Sequence, residues 1–304
     1  PLTVYFLFQI FFEKKKINFE HIKVKNFGFE KNNKLRIINF YIIFILIFEF
    51  FSINFPVNLI DIFHEGQKLS AAFKSSMDEK LWSGSFVTTG IINETLGTKL
   101  IWKIFNHQSI GLMRYLEIIY ILIFKISLIY LFYLIINNIS FSLYGKIAFF
   151  LTTSIISFFL IDYNLSTGDS FSYRDLPTVF FLIIFFKYLS NMGKFYFPLL
   201  LIGFLSVTSF FWSIDRALIV NFLIIFMYIN MLINKRYAHI ATITLSIIFF
   251  WVFYYYYLGF EFNYFLNNTL SVLSNQNYIH GIIHPTPFSN MDNSSRATKS
   301  LLLI

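Results

Sequence analysis

Long apolar runs alternate along this chain with polar connections of very unequal length. The runs near 37–55, 115–137, 146–161, 176–190, 195–212, 217–233 and 238–257 approach or reach the roughly 20 residues that cross a hydrocarbon core of about 30 Å at about 1.5 Å per residue. They predict seven transmembrane helices. After the polar stretch 294–300, the residues 301–304 read as the first turn of an eighth. The segment 176–190 is short for a span and carries Lys187, whose ammonium must reach back to the interface. Residues 1–12 are apolar too and are left unassigned. The chain opens on Pro1 rather than Met and stops inside an apolar run, so it reads as a fragment truncated at both ends, 1–304 forming a single transmembrane domain. The expected fold class is all-α, a polytopic helical membrane protein of about seven to eight spans.

Composition agrees. Hydrophobic residues make up 57% of the chain and charged residues 13%, with a mean hydropathy of +0.64; soluble domains carry about 25% charged residues. With no cysteine, disulfides, thiolate metal sites and cysteine nucleophiles are excluded. The net charge of +8 is carried largely by one run, and that run sets the expected orientation.

Residues 13–36 hold Lys14, Lys15, Lys16, Lys23, Lys25, Lys31, Lys34 and Arg36, which places this segment on the cytoplasmic side. Alternating from there puts the short connections containing Lys146, Lys187 with Lys194, and Lys235 with Arg236 inside as well. Eleven of the 16 carboxylates then fall outside, with Glu13, Glu20 and Glu30 inside and Glu49 and Glu117 within spans. Acidic residues do not define the topology rule, so their sorting points separately to function at the outer face. A basic run at the membrane surface suits anionic headgroups and does not call for nucleic acid. The chain lacks a glycine-rich phosphate loop and a nucleophile elbow, which argues against cytosolic nucleotide chemistry.

Four outer connections follow. The first, 56–114, opens with Asp61, Ile62, Phe63, His64, Glu65 and Gly66 and then carries helical spacing at Leu69, Ala72 and Phe73 and again at Leu96, Leu100, Ile101, Ile104 and Phe105. These pieces are expected to be interfacial helices, with Trp82 and Trp102 at the interface. The second, 162–175, is polar, contains Asp169, and ends in Arg174 and Asp175, with Asp175 as an expected N-cap and Pro177 in the following first turn. The third is Ser213, Ile214, Asp215 and Arg216 after Trp212. The fourth, 258–300, holds His280 and His284 at i, i+4, a spacing that can bind a metal from a helix, although Gly281 and Pro285 oppose a regular helix there.

A cytoplasmic amino-terminal side, a first span and a long outer loop that opens on acids and carries surface helices resemble the GT-C superfamily of integral membrane glycosyltransferases. The resemblance covers most of the chain as architecture. It implies catalysis by an acid of the first outer loop, with Asp61 leading and Glu65 second. It also implies a polyprenyl-phosphate sugar as donor, a glycan, lipid or protein acceptor, and an active face on the outside of a bacterial inner membrane. That superfamily often shows two adjacent acids, whereas Ile62, Phe63 and His64 intervene here.

The chemistry has its own logic. Sugar transfer needs a base for the acceptor hydroxyl and cations, or a divalent metal, for the departing phosphate. Asp61 and Glu65 at i, i+4 would share a helix face, and His64 would orient either acid. Arg174 and Arg216, at outer ends of spans, can grip a phosphate in two-point geometry, with Asp169 and Asp215 completing the substrate-binding set. The plainer reading makes Asp61 a helix cap and pairs each arginine with a neighbouring aspartate. Glu117 and Lys125 are intramembrane charges expected to be packing partners far from the outer face. Sequons at Asn93, Asn164, Asn267 and Asn293 occur readily by chance in so asparagine-rich a chain. A transporter or flippase for a lipid-linked or polar solute is the alternative function, followed by a polymerase or ligase of surface polysaccharide.

Overall fold

The computed structural model describes residues 64–78, 80–138, 143–160, 173–190 and 196–275, together with positions 42, 43, 47, 51 and 288. Among the described residues there are nine α-helices and no strand. In chain order they are α1 (His64–Asp78), α2 (Gly97–Phe105), α3 (Ile110–Asn138), α4 (Leu143–Leu160), α5 (Leu176–Ser190), α6 (Phe197–Trp212), α7 (Ile214–Ile233), α8 (Tyr237–Leu258) and α9 (Glu261–Ser274). A π-helical turn, Ile92–Leu96, runs directly into α2, and a single 3₁₀ turn, Tyr173–Asp175, runs into α5. The chain divides into two compact units, Asn26–Asn268 and a second made of Pro1–Lys25 with Thr269–Ile304. Of the second, residues 269–275 and 288 are described. Everything that follows lies in the first.

Among the described residues three helices are long and apolar enough to cross a membrane: Ile110–Ile136 within α3, α7, and α8. α3 is apolar around its circumference apart from the buried Arg114, Glu117 and Lys125, as a span can be when one side faces lipid and the other faces protein. α6 is as apolar but has only 16 residues, and α5 has 15, because the turn at 173–175 and the break at Ser213 cut each short. Helices therefore stand where the sequence predicts spans between 115 and 257, while three of them meet the length and composition of a full crossing. The expected span at 37–55, apart from isolated positions, and the expected start of another at 301 lie outside the described residues.

Local rules account for the ends. Pro177 and Pro198 sit in the first turns of α5 and α6, where the missing amide costs nothing. Asn106 closes α2 in the left-handed region at φ 49, and the amide of His107 returns to the Trp102 carbonyl at 3.1 Å. Between α7 and α8, Lys235 at φ 55 closes a turn in which the Arg236 amide donates to Met231 O at 2.8 Å. Close packing of α6 on α8 depends on Gly203. A Cβ there would stand 2.4 Å from the Ser246 side chain, and the freed space lets Ser246 Oγ donate to Leu200 O at 2.8 Å.

Two ends of the bundle are distinct. At one, Tyr188 at the end of α5 shares a 2.7 Å hydrogen bond with His239 Nδ1, Arg236 Nη1 donates to the Tyr188 hydroxyl at 3.3 Å, and Tyr196 stacks edge-on against His239. At the other end meet the parts of the four outer-assigned connections described within this unit. The Ile214 amide donates to Thr89 O at 2.7 Å, the amides of Trp82 and Ser83 donate to Glu261 Oε2 at 2.9 and 3.0 Å, and Asn268 exchanges two hydrogen bonds with the Val87 backbone. Gly90 makes this closure possible, since a Cβ at that position would lie 2.1 Å from the Trp212 carbonyl oxygen.

The first loop folds inward more than its amphipathic pattern predicts. Trp82 packs against Phe211 and Phe265, and Trp102 is buried with its indole N–H donating to Ser109 O at 2.8 Å, so neither sits at an interface. Ala72, Ile101 and Trp102 form a small core between α1, α2 and α3, while Leu100, Ile104 and Phe105 remain exposed on α2 and Phe73 on α1. Asn93 of one sequon is buried, so that match is a chance one.

Candidate functional site

Two charge clusters occupy the gathered end of the bundle. The first joins α1 to the start of α3. Arg114 grips Glu65 through two hydrogen bonds, Nε to Oε1 at 2.7 Å and Nη2 to Oε2 at 2.9 Å. One turn further on, Lys68 donates to Glu117 Oε1. The pairs match in order along both helices, so two electroneutral rungs bridge α1 to the first turns of α3. Tyr173 closes the second rung into a triangle: its hydroxyl accepts from Lys68 Nζ at 2.8 Å and donates to Glu117 Oε1 at 2.9 Å. All five side chains are buried.

The electrostatics follow from that burial. Desolvation works against the Lys68 ammonium, but its electrostatic attraction to the Tyr173 oxygen and the Glu117 carboxylate and its hydrogen bonds to both outweigh it, and the Lys68 pKa stands above its ordinary 10.5. Burial, then the Glu117 charge, keeps the Tyr173 phenol protonated above its ordinary 10.0, with Lys68 opposing.

The second cluster begins on the next residue of the same 3₁₀ turn. Arg174 Nη2 donates to Asp215 Oδ2 at 3.1 Å, Arg216 Nη1 lies 3.3 Å from the same oxygen, and Arg216 Nε lies 2.5 Å from Asp175 Oδ1. The last contact lacks hydrogen-bond alignment, and Arg216 Nε has no hydrogen-bond partner. Ser213 Oγ donates to Asp215. These side chains are between 19% and 41% exposed, against 3–9% in the first cluster, so the second is the one a ligand can reach. The Tyr173 ring is 5.6 Å from that of Tyr120, which in turn is 5.2 Å from Trp212, whose indole N–H is buried without a partner.

A fifth carboxylate holds a loop at this end. Glu94, on the π-helical turn, accepts from the amides of Thr88 and Thr89 at 3.0 and 2.8 Å and from both hydroxyls at 2.6 Å. Four donors satisfy the buried acid and stiffen the loop that receives the Ile214 amide.

The structure thus brings together Glu65, Arg174, Asp215 and Arg216 among the residues singled out from sequence. Asp61 and Asp169 lie outside the described residues, as do His280 and His284, and His64 is described as the first residue of α1 by its backbone alone. Glu117 differs from expectation: it belongs to the gathered end, because α1 folds down beside the first turns of α3. Lys125 is buried deeper along the same helix. Sequence reasoning missed Lys68, Arg114, Tyr173 and the role of Glu94. One signal was there, an acid and a base at i, i+3 in α1 and the reverse order at i, i+3 in α3, but their pairing needs the fold. Among the described residues no group of three or more histidine, aspartate or glutamate side chains is placed to hold a metal ion.

Among the described residues the protein is all-helical, with a charge-paired end and three helices long and apolar enough to cross a membrane. No protein-family model, curated protein or solved structure matches this chain.

Proposed function

We propose that the protein is a membrane glycosyltransferase that moves a sugar from a polyprenyl-phosphate donor to a glycan, lipid or protein acceptor on the extracytoplasmic side of a bacterial inner membrane. The observation that carries this reading is the partly open cluster of Arg174, Asp175, Asp215 and Arg216, placed where the acid-rich connections gather. Two guanidiniums held by aspartates at the end of membrane-crossing helices suit a phosphate whose lipid tail stays in the bilayer. The exposed Leu100, Ile104 and Phe105 on α2, with Lys103 beside them, suit a helix resting on the headgroup layer, and the expected seven to eight spans belong to the same reading. The base is Asp61, three residues before α1. Glu65 is the weaker candidate, because two-point binding by Arg114 ties up both of its oxygens.

The test uses purified protein in liposomes with a polyprenyl-phosphate sugar and an acceptor. Free lipid phosphate and a glycosylated product should appear, and Asp61→Asn should lower turnover by about 10²-fold or more while donor binding persists. Arg216→Ala should instead weaken donor binding, with Arg216→Lys recovering it in part because a point charge does not replace a fork. Translocation of the intact lipid sugar without bond cleavage would reject transfer in favour of a transporter or flippase.

A further inference from the structure

A one-turn 3₁₀ helix has little stability of its own, since it fixes several dihedrals for very few hydrogen bonds. The turn Tyr173–Asp175 nonetheless carries Arg174 and Asp175, which make two of the ion-pair contacts to the start of α7. Its carboxyl end is continuous with α5, and its amino end is held by Tyr173. The ring is buried among Ile118, Ile121 and Leu176, and the hydroxyl is held from both sides, accepting from the Lys68 ammonium and donating to the Glu117 carboxylate. Lys68 and Glu117 sit on helices that the Glu65–Arg114 rung already locks together. The start of α7 is fixed by other means, through the backbone bond from Ile214 to Thr89 and the close approach at Gly90.

We infer that Lys68, Glu117 and Tyr173 are positioning residues: their triangle aims the 3₁₀ turn so that Arg174 meets the phosphate together with Arg216. The inference rests on the proposed reading of the arginine cluster as a phosphate site. None of the three residues touches the donor. They act through the turn, and small displacements of a binding group are expensive in affinity.

Tyr173→Phe isolates the effect, because it keeps the buried ring and removes only the hydroxyl. Binding of polyprenyl monophosphate in detergent micelles should weaken about tenfold, with the donor KM rising in step and kcat at saturating donor unchanged. Backbone hydrogen exchange over 173–176 should quicken. Because a phenol both donates and accepts, the exchanged pair Lys68→Glu with Glu117→Lys can rebuild the triangle and should restore affinity that either single change loses. A Tyr173→Phe protein of lower melting temperature but unchanged exchange over 173–176 and unchanged polyprenyl monophosphate affinity would overturn the inference, leaving the triangle as packing. Arg174→Ala separates the two levels. Should that variant bind polyprenyl monophosphate as well as the parent, the phosphate reading falls, while exchange over 173–176 in Tyr173→Phe still decides whether the triangle holds the turn.

Discussion

Lys68→Met removes one buried charge from the second rung at nearly constant volume, and the consequence can be worked from the surroundings. The Lys68 and Glu117 side chains are 8% and 4% exposed, so water cannot replace the lost ammonium. Glu117 keeps the Tyr173 hydroxyl as a donor but loses its compensating charge. Breaking a buried pair in this way costs about 3–5 kcal/mol. Glu117→Leu should cost a similar amount, since Lys68 is then left with only the phenol oxygen at 2.8 Å. Removing both charges together leaves the Tyr173 hydroxyl as the one unsatisfied group, worth about 1–3 kcal/mol. The double variant should therefore be more stable than either single one, and adding Tyr173→Phe should bring it close to the parent. Equilibrium unfolding in sodium dodecyl sulfate, with thermal unfolding in a mild detergent as a second measure, would read the cycle. Single changes costing less than about 1 kcal/mol, as for solvated pairs, or a double variant equal to the sum of the singles, would refute a buried, coupled triangle.

Further outcomes follow from the same structure. Gly203→Ala should lower the melting temperature, because overpacking the α6–α8 contact at 2.4 Å costs about 1–3 kcal/mol and outweighs the roughly 1 kcal/mol that alanine gains over glycine in a helix; an unchanged or raised value would show that the helices separate freely. Both Lys68 and Tyr173 keep their protons in the folded protein at pH values where the unfolded chain gives them up, so their contribution is fully present below about pH 10 and is lost as pH rises above their ordinary 10.5 and 10.0. Stability measured from pH 8 to 11 should fall at the alkaline end, and a slope unaltered in Lys68→Met with Tyr173→Phe would contradict this. With no native cysteine, each thiol introduced at Asp169 or Lys235 is unique. The first should react with an impermeant maleimide from outside and the second only after permeabilisation, and the reverse pattern would invert the proposed orientation.

Hydrophobic patterning determined the helices. A run of apolar residues in a chain with 57% hydrophobic content must satisfy its own backbone, and the helix is the structure that does so locally. The positions of α3 through α8 were legible for that reason. The alternation of connections was legible as well, since each helix reverses the side of the next, and the gathering of 80–96, 173–175, 212–216 and 258–261 at one end agrees with it.

Side-chain partners were not legible, because they depend on how elements distant in sequence pack. Glu65 reads from sequence as the second candidate for the catalytic acid of the first outer loop, and becomes half of a buried rung only because the fold brings it to Arg114, 49 residues away. Arg174 and Arg216 read as anchors paired with their neighbours, yet Arg174 reaches Asp215 and Arg216 reaches Asp175 as well as Asp215. Trp82 and Trp102 follow the statistics of interfacial tryptophan in sequence and are buried in the fold, because the first loop closes over the bundle. Local periodicity is a property of a few consecutive residues, so sequence alone settles which segments are helical and apolar. Charge pairing across 41 to 49 residues is a property of the packed chain, and only the tertiary structure decides which carboxylates are tied up and which arginines stay within reach of a ligand.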